Sequence, residues 1–370
     1  MFFKKENKGL KAIYAMHSIQ GFAMSLIGIF IPIYLLTLNY SVSQVLVFYI
    51  MLYAFLLFFA FFAIIVANKI GLQQTINLRF PYLFIYLISL FLLKSISLPL
   101  SIIALFGGLQ MALYWIPLHI LFTREAKHKE VGSSTSKLFA FPQLASMAGP
   151  ILGGFIAAML GFKILFIFVF LILFISVIPL FGSKQIKTSF KFKPSQGIKL
   201  FKKYPKYFFA EIFDNIGEEA ESIIWPIFIY LSLVKIESVG IVGTLLALGS
   251  ATFTLFIGKI SDRYKKKQII KVGAILLLFI WTTRYFIDSE IAFYVITVLA
   301  GFFTVLLLVP FTSLIYSIAK KDTMDEFFVF REIPVAIGRI TILSLALLVV
   351  NKINITFLAA GVAYLYFLFL

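Results

Sequence analysis

An all-α polytopic membrane protein, with twelve transmembrane helices in two pseudo-symmetric six-helix bundles, is the fold that three features of the sequence predict. The first is composition. Of the 370 residues 61% are hydrophobic and 13% charged, and the mean hydropathy is +1.02. A water-soluble domain of that composition would leave large apolar patches on its surface. The second is the recurrence of long apolar runs such as FYIMLYAFLLFFAFFAIIVA at Phe48–Ala67. About twenty such residues in a helix cross a bilayer core of roughly 30 Å. The third is a basic gap, GSKQIKTSFKFKPSQGIKLFKKYPK at Gly182–Lys206, which divides the runs six against six.

In chain order the apolar segments span 10–38, 44–66, 76–94, 98–121, 138–160, 162–181, 207–232, 238–258, 269–287, 290–318, 327–350 and 354–370. The expected organisation is an N-terminal bundle at 1–181, a basic central loop at 182–206 and a C-terminal bundle at 207–370. The basic N-terminus MFFKKENKGLK runs straight into the first segment with no small-residue cleavage site, so it reads as a retained helix and not a signal peptide. The last segment is short and stops at Leu370, which leaves room for a missing tail.

Loop charge sets the expected orientation. With the N-terminus inside, the inner segments carry Lys4, Lys5, Lys8 and Lys11, then Lys69 and Arg79, then Arg124, Lys127, Lys129 and Lys137. The central loop adds eight lysines, and Lys259, Arg263, Lys265, Lys266, Lys267, Lys271, Lys320 and Lys321 follow. The outer loops hold only Lys94, Lys163, Lys235 and Lys352. This positive-inside split predicts a multi-pass protein of the cytoplasmic membrane with both termini cytoplasmic. The net charge of +17 then faces anionic lipid headgroups rather than nucleic acid. The chain has no cysteine, which excludes disulfides and thiolate metal sites. No metal or cofactor is expected, and a monomer is.

The two halves repeat. FAFPQLASMAGPI at Phe139–Ile151 aligns with FVFREIPVAIGRI at Phe328–Ile340, and FIPIYLL at Phe30–Leu36 with IWPIFIY at Ile224–Tyr230. Gly107 and Pro117 match Gly301 and Pro310 at nearly the same separation. Parallel halves of this kind build transporters whose site lies between them at the membrane midplane.

Two motifs resemble those of the major facilitator superfamily. GKISDRYKKKQ at Gly258–Gln268 resembles the family's Gly-x-x-x-Asp-Arg-x-x-x-basic loop, and AGPILGG at Ala148–Gly154 resembles its Gly-Pro-x-x-Gly-Gly segment. The resemblance implies alternating access, a gating role for Gly258, Asp262 and Arg263, and a cavity lined by the first, fourth, seventh and tenth helices. A topogenic basic loop is the plainer reading of the same motif. The first half departs from the pattern: IIVANKIGLQQ at Ile64–Gln74 has Asn68 and Lys69 where the acid and arginine would be. Upstream of Gly149, Pro150, Gly153 and Gly154, Ser136 and Ala145 stand where the exporter pattern has glycines. Pro150 with its glycines predicts a kink and close helix packing.

The densest polar chemistry is AEIFDNIGEEAESIIWP at Ala210–Pro226, with five of the chain's sixteen acids. At about 100° per residue, Glu211, Asp214, Glu218 and Glu221 share a stripe roughly 80° wide, and Glu219 falls off it. Acids this deep in a bilayer face an interior or a watery cavity, where they can exchange protons or attract cations. The eleventh segment supplies Arg331, Glu332 and Arg339, with Arg331 level with Glu211 and Asp214 and Arg339 level with Glu218 and Glu219. They read as partners of the acid stripe, either in a transport site or in a static ion-pair network. The first half offers His17, Gln20, Gln110, Tyr114, Trp115, His119 and Gln143 as hydrogen-bonding and aromatic contacts. Arg284 and Asp288 read as a structural i, i+4 pair near the outer end of the ninth segment.

The function predicted is secondary active transport of a small solute, coupled to protons, with efflux of amphipathic or cationic compounds as the favoured direction. Import of a sugar or other metabolite is the alternative within that class. No phosphate-binding loop points to nucleotide drive. An integral membrane enzyme is a reading of another class, but His17, His119 and His128 form no metal-ligand motif. A transport-dead scaffold is a third.

Overall fold

The computed structural model describes residues 8–125, 144–176, 193–263, 265–321 and 324–370, with single positions at 134, 137, 138, 142 and 178. Only the backbone is described at 8–10, 125, 255, 258–259 and 261–263. Among the described residues twelve helices, two of them interrupted by an irregular turn, follow the twelve apolar segments. In the first half α1 runs Lys8–Ile27 and continues, through a 3-10 turn at Gly28–Phe30, into Ile31–Thr37. Next come α2 (Val42–Ile70), α3 (Leu72–Leu92), α4 (Leu100–Glu125), α5 (Gly149–Leu160) and α6 (Phe162–Ser176). In the second half α7 runs Pro205–Glu219, passes through a π-helical turn at Ala220–Ile224 and resumes as Trp225–Leu233. Then α8 (Ile236–Arg263), α9 (Lys266–Phe286), α10 (Glu290–Ala319), α11 (Met324–Leu348) and α12 (Ile355–Tyr364) complete the bundle. Among the described residues seven helices are long and apolar enough to cross a membrane; α5, α6 and α12 are shorter apolar helices, and α7 and α11 carry the ionic residues.

The repeated proline motif has a matched structural consequence. Pro32 and Pro226 each occupy the second residue of a restarted helix, after the 3-10 turn in α1 and the π turn in α7. Proline lacks an N–H and its ring crowds the carbonyl four residues back. Those carbonyls belong to Gly28 and Ser222, inside the two irregular turns. The α2–α3 and α5–α6 hairpins each turn at one glycine, Gly71 and Gly161, with φ of 95° and 82°. A side chain at either position would be strained.

Within the halves α2 and α3 pack on α4, and α8 and α9 pack on α10. Between the halves α2 packs on α11 and α5 on α8. The α5–α8 seam explains the glycine segment. Pro150 stands at the second residue of α5, just after a turn at 147–148, so the chain bends ahead of the helix proper. The Ile151 N–H, left without an intrahelical partner near the helix start, donates to Thr244 Oγ1 of α8 at 3.0 Å. A Cβ on Gly149 or Gly153 would collide with Ser25 or the Leu26 carbonyl of α1, while Gly154 faces Gly240 of α8.

Two sequence expectations need correction. Arg79 is not a loop cation: it lies about two turns inside α3 and is 5% exposed. The central gap is not all loop either, since Pro194–Lys203 forms a surface helix. Its Gly197 and Leu200 are buried, Gly197 directly against the Phe330 ring of α11, while Ile198, Lys199, Lys202 and Lys203 are exposed.

Candidate functional site

Helix α7 is regular α-helix through Glu219, so the first three acids of the stripe keep their spacing and face α11 or the space between the halves. Glu211, 1% exposed, takes a bidentate pair from Arg331, with Nε at 2.6 Å and Nη2 at 2.8 Å. Asp214 and Glu218 line a central cavity, and Arg339 Nη2 donates to Glu218 Oε2 at 3.3 Å. Glu332 lines the same cavity. The fourth acid departs from the predicted face. The π turn that begins at Ala220 changes the helical phase, and Glu221 meets α9 instead. There it pairs bidentately with Arg284 at 2.5 and 2.9 Å. Arg284 is wholly buried between the Trp225 and Trp281 rings, 4.1 and 4.4 Å from their centroids. Its partner is thus Glu221, not the Asp288 of the sequence expectation.

Glu219, the acid left off the stripe, bridges the halves. Tyr53 of α2 donates to its carboxylate at 2.8 Å from both oxygens, and Glu219 is 1% exposed. The Arg339 Nε lies 3.8 Å from Glu219 Oε2 while donating to Asn215 Oδ1 at 3.0 Å. The same guanidinium sits 5.0 Å from the Tyr53 ring centroid. One arginine therefore faces two carboxylates on consecutive residues, one open to the cavity and one buried against the other half. A helical wheel shows that Glu219 points elsewhere, but only the packing of α2 on the second half shows where.

Further bonds join the halves at the end that carries the lysine-rich loops. Arg124 of α4 pairs with both oxygens of Asp325 of α11 at 2.9 and 2.8 Å. Lys320 Nζ donates to the Thr123 carbonyl at 3.2 Å. His119 joins the Tyr316 hydroxyl at 2.7 Å, and its other ring nitrogen lies 3.4 Å from Arg331 Nη1. This layer of α4 against α10 and α11 lies between the cavity and that end of the molecule.

In the first half the structure gathers His17, Gln20, Gln110 and Tyr114 around an arginine that sequence reasoning put elsewhere. Arg79 Nε donates to Gln110 Oε1 and Nη1 to Gln20 Oε1, both at 2.8 Å. Its guanidinium lies 3.9 Å from the Tyr114 ring centroid. The Tyr114 hydroxyl hydrogen-bonds His17 Nδ1, and the His17 ring meets Trp115 edge-on. Trp115 and His119, with Leu56 of α2, form the first-half wall of the central cavity. That cavity measures about 90 Å³, well below the roughly 300 Å³ at which organic-ligand pockets begin.

The side chains of the motif residues Gly258, Asp262 and Arg263, and Gln143, lie outside the described residues. The α8 backbone runs through Arg263.

The Major Facilitator Superfamily sequence profile matches residues 208–370. No curated protein matches the chain in sequence. Among solved structures, the human organic anion transporter MFSD10 superposes with a TM-score of 0.69 at 12% identity, over 99% of each chain. A structure of the transporter FucP in the outward conformation gives 0.71 at 10%, over 98% of each. A structure of the Escherichia coli fucose:proton symporter FucP gives 0.72 at 10%, over 97% of each. The chain has the major facilitator fold over nearly its whole length, and its second half, which holds the Gly258–Gln268 motif, carries the superfamily's sequence pattern.

Proposed function

We propose that the protein is a secondary active transporter that moves a small solute by alternating access and couples it to protons. We further place it in the cytoplasmic membrane with its lysine-rich loops and both termini inside. The observation that carries this reading is the sharing of Arg339 between Glu218 and Glu219, with Glu219 held across the halves by Tyr53. Two carboxylates and one guanidinium leave one negative charge over, and a single proton neutralises it. A proton on Glu219 also changes what Tyr53 donates to, so protonation and the contact between the halves are linked. The fold supports such chemistry elsewhere, since one solved structure that shares it is a fucose:proton symporter.

Glu211–Arg331 and Glu221–Arg284 take a different role in this reading. Each is a matched bidentate pair deep in the second bundle, and each holds helices together without a charge to spare. Asp262 and Arg263 serve as the gate implied by the loop motif.

The test is solute-driven proton movement in proteoliposomes loaded with a pH dye, across a panel of organic anions, cations and sugars. At least one solute should move protons through the wild type and not through protein-free vesicles. Solute flux with no proton movement would refute the coupling, and no flux for any solute would favour a scaffold.

A further inference from the structure

The two halves treat buried arginine differently. In the second half Arg284, Arg331 and Arg339 each meet at least one carboxylate within 4 Å. Among the described residues no carboxylate pairs with Arg79, and the first 200 residues of the sequence contain only Glu6, Glu125 and Glu130 as acids, none of them inside an apolar segment. Arg79 makes do with two glutamine carbonyls and an aromatic face. An arginine in a low-dielectric interior without a counter-charge is costly, and such residues inside membrane spans mark ligand or ion paths. A second observation points the same way. Gln20 is 2% exposed, its Oε1 is spent on Arg79, and its Nε2 has no hydrogen-bond partner. A buried unpaired donor beside an uncompensated cation is the complement of an anion.

We propose that Gln20, Arg79 and Gln110 form the anion-binding end of the solute site and take a carboxylate. The planar guanidinium and the neighbouring amide match a carboxylate's two oxygens, and the Tyr114 and Trp115 rings offer an apolar surface beside them. In this structure Arg79 sits behind the cavity wall, since Trp115 lines the cavity, the Tyr114 ring packs on Trp115 and the guanidinium lies against Tyr114. A solute reaches it when the cavity widens. The transported solute is then an organic anion or a zwitterion, with any cationic end left to Asp214 and Glu218. This revises the preference for cationic compounds drawn from the acid stripe alone. It rests on the reading of the chain as a transporter, and binding and flux test the two separately.

The experiment is thermal unfolding of the detergent-purified full chain with benzoate, lactate and gluconate, against benzylammonium, benzyl alcohol and inorganic phosphate. At least one carboxylate should raise the unfolding temperature of the wild type, and benzylammonium and benzyl alcohol should not. Arg79→Gln should weaken that carboxylate's affinity about 10- to 100-fold, and Arg79→Lys should keep part of it. Without ligand, Arg79→Gln should unfold at the wild-type temperature or above, because it removes an uncompensated charge. A carboxylate shift that survives Arg79→Gln, a panel in which no carboxylate acts, or stabilisation by phosphate alone would overturn the proposal. So would a fall in the unliganded unfolding temperature of Arg79→Gln, which would make Arg79 a packing element. Carboxylate binding without solute flux would refute the transporter reading and leave this site standing.

Discussion

At the scale of single residues, the five acids of α7 sort into three kinds by what they touch. Glu211 and Glu221 each hold a buried arginine bidentately, Asp214 and Glu218 line the cavity, the Glu218 side chain 57% exposed, and Glu219 is shared between Tyr53 and Arg339. Their energetics should differ accordingly. Glu221→Gln leaves the wholly buried Arg284 without its counter-charge and should cost about 3–5 kcal/mol. It should be read as a large fall in unfolding temperature with proton coupling unchanged in whatever folds. Glu218→Gln breaks a solvent-screened pair and should cost no more than about 1 kcal/mol. Equal losses in the two variants would contradict this sorting. The sequence spacing paired Arg331 with Glu211 and Arg339 with Glu218 correctly, because both helices are regular there. It missed Glu221's partner because the π turn breaks the assumed phase. It missed Arg79 because a lone arginine near a segment boundary looks like a loop cation until its neighbours are seen.

At the scale of helices, small residues decide how closely elements approach. A Cβ on Gly153 would fall 2.0 Å from the Leu26 carbonyl oxygen, where only backbone movement could relieve the clash. Gly153→Leu should therefore destabilise by about 1–3 kcal/mol, the cost typical of overpacking. Gly28→Ala, where a Cβ meets nothing within 4 Å, should leave the unfolding temperature unchanged. A tolerated Gly153→Leu would show that α1 and α5 are not packed as described. Pro150 stands at the start of α5 after a turn rather than inside the helix. The match of Pro32 with Pro226 was legible in sequence. The kind of irregular turn before each proline was not, since it depends on what packs against the freed carbonyls. The surface helix at Pro194–Lys203 was hidden by its low hydropathy, because it buries only Gly197 and Leu200.

For the whole molecule, the twelve helices and the division six against six were written in apolar run length and loop charge, which report on lipid and water directly. The contacts between halves were not, because α2 on α11 and α5 on α8 are set by tertiary packing. The lysine-rich end is joined across the halves by Arg124–Asp325 and Lys320–Thr123. The chain lacks cysteine, so a single cysteine placed at Thr312 in the cavity wall reports access from that end cleanly. Arg124→Ala should raise its labelling by an impermeant thiol reagent applied there. The swap Arg124→Asp with Asp325→Arg should lower labelling again, and unchanged labelling throughout would show that this pair does not hold the end shut. The central claim is that Glu218 and Glu219, sharing Arg339, carry the coupled proton. Its most direct test compares solute exchange with solute-driven proton flux in proteoliposomes of Glu219→Gln and of Glu218→Gln. The account predicts that solute exchange persists in both while net proton movement is lost in at least Glu219→Gln. Wild-type proton-to-solute ratios in both variants would contradict it.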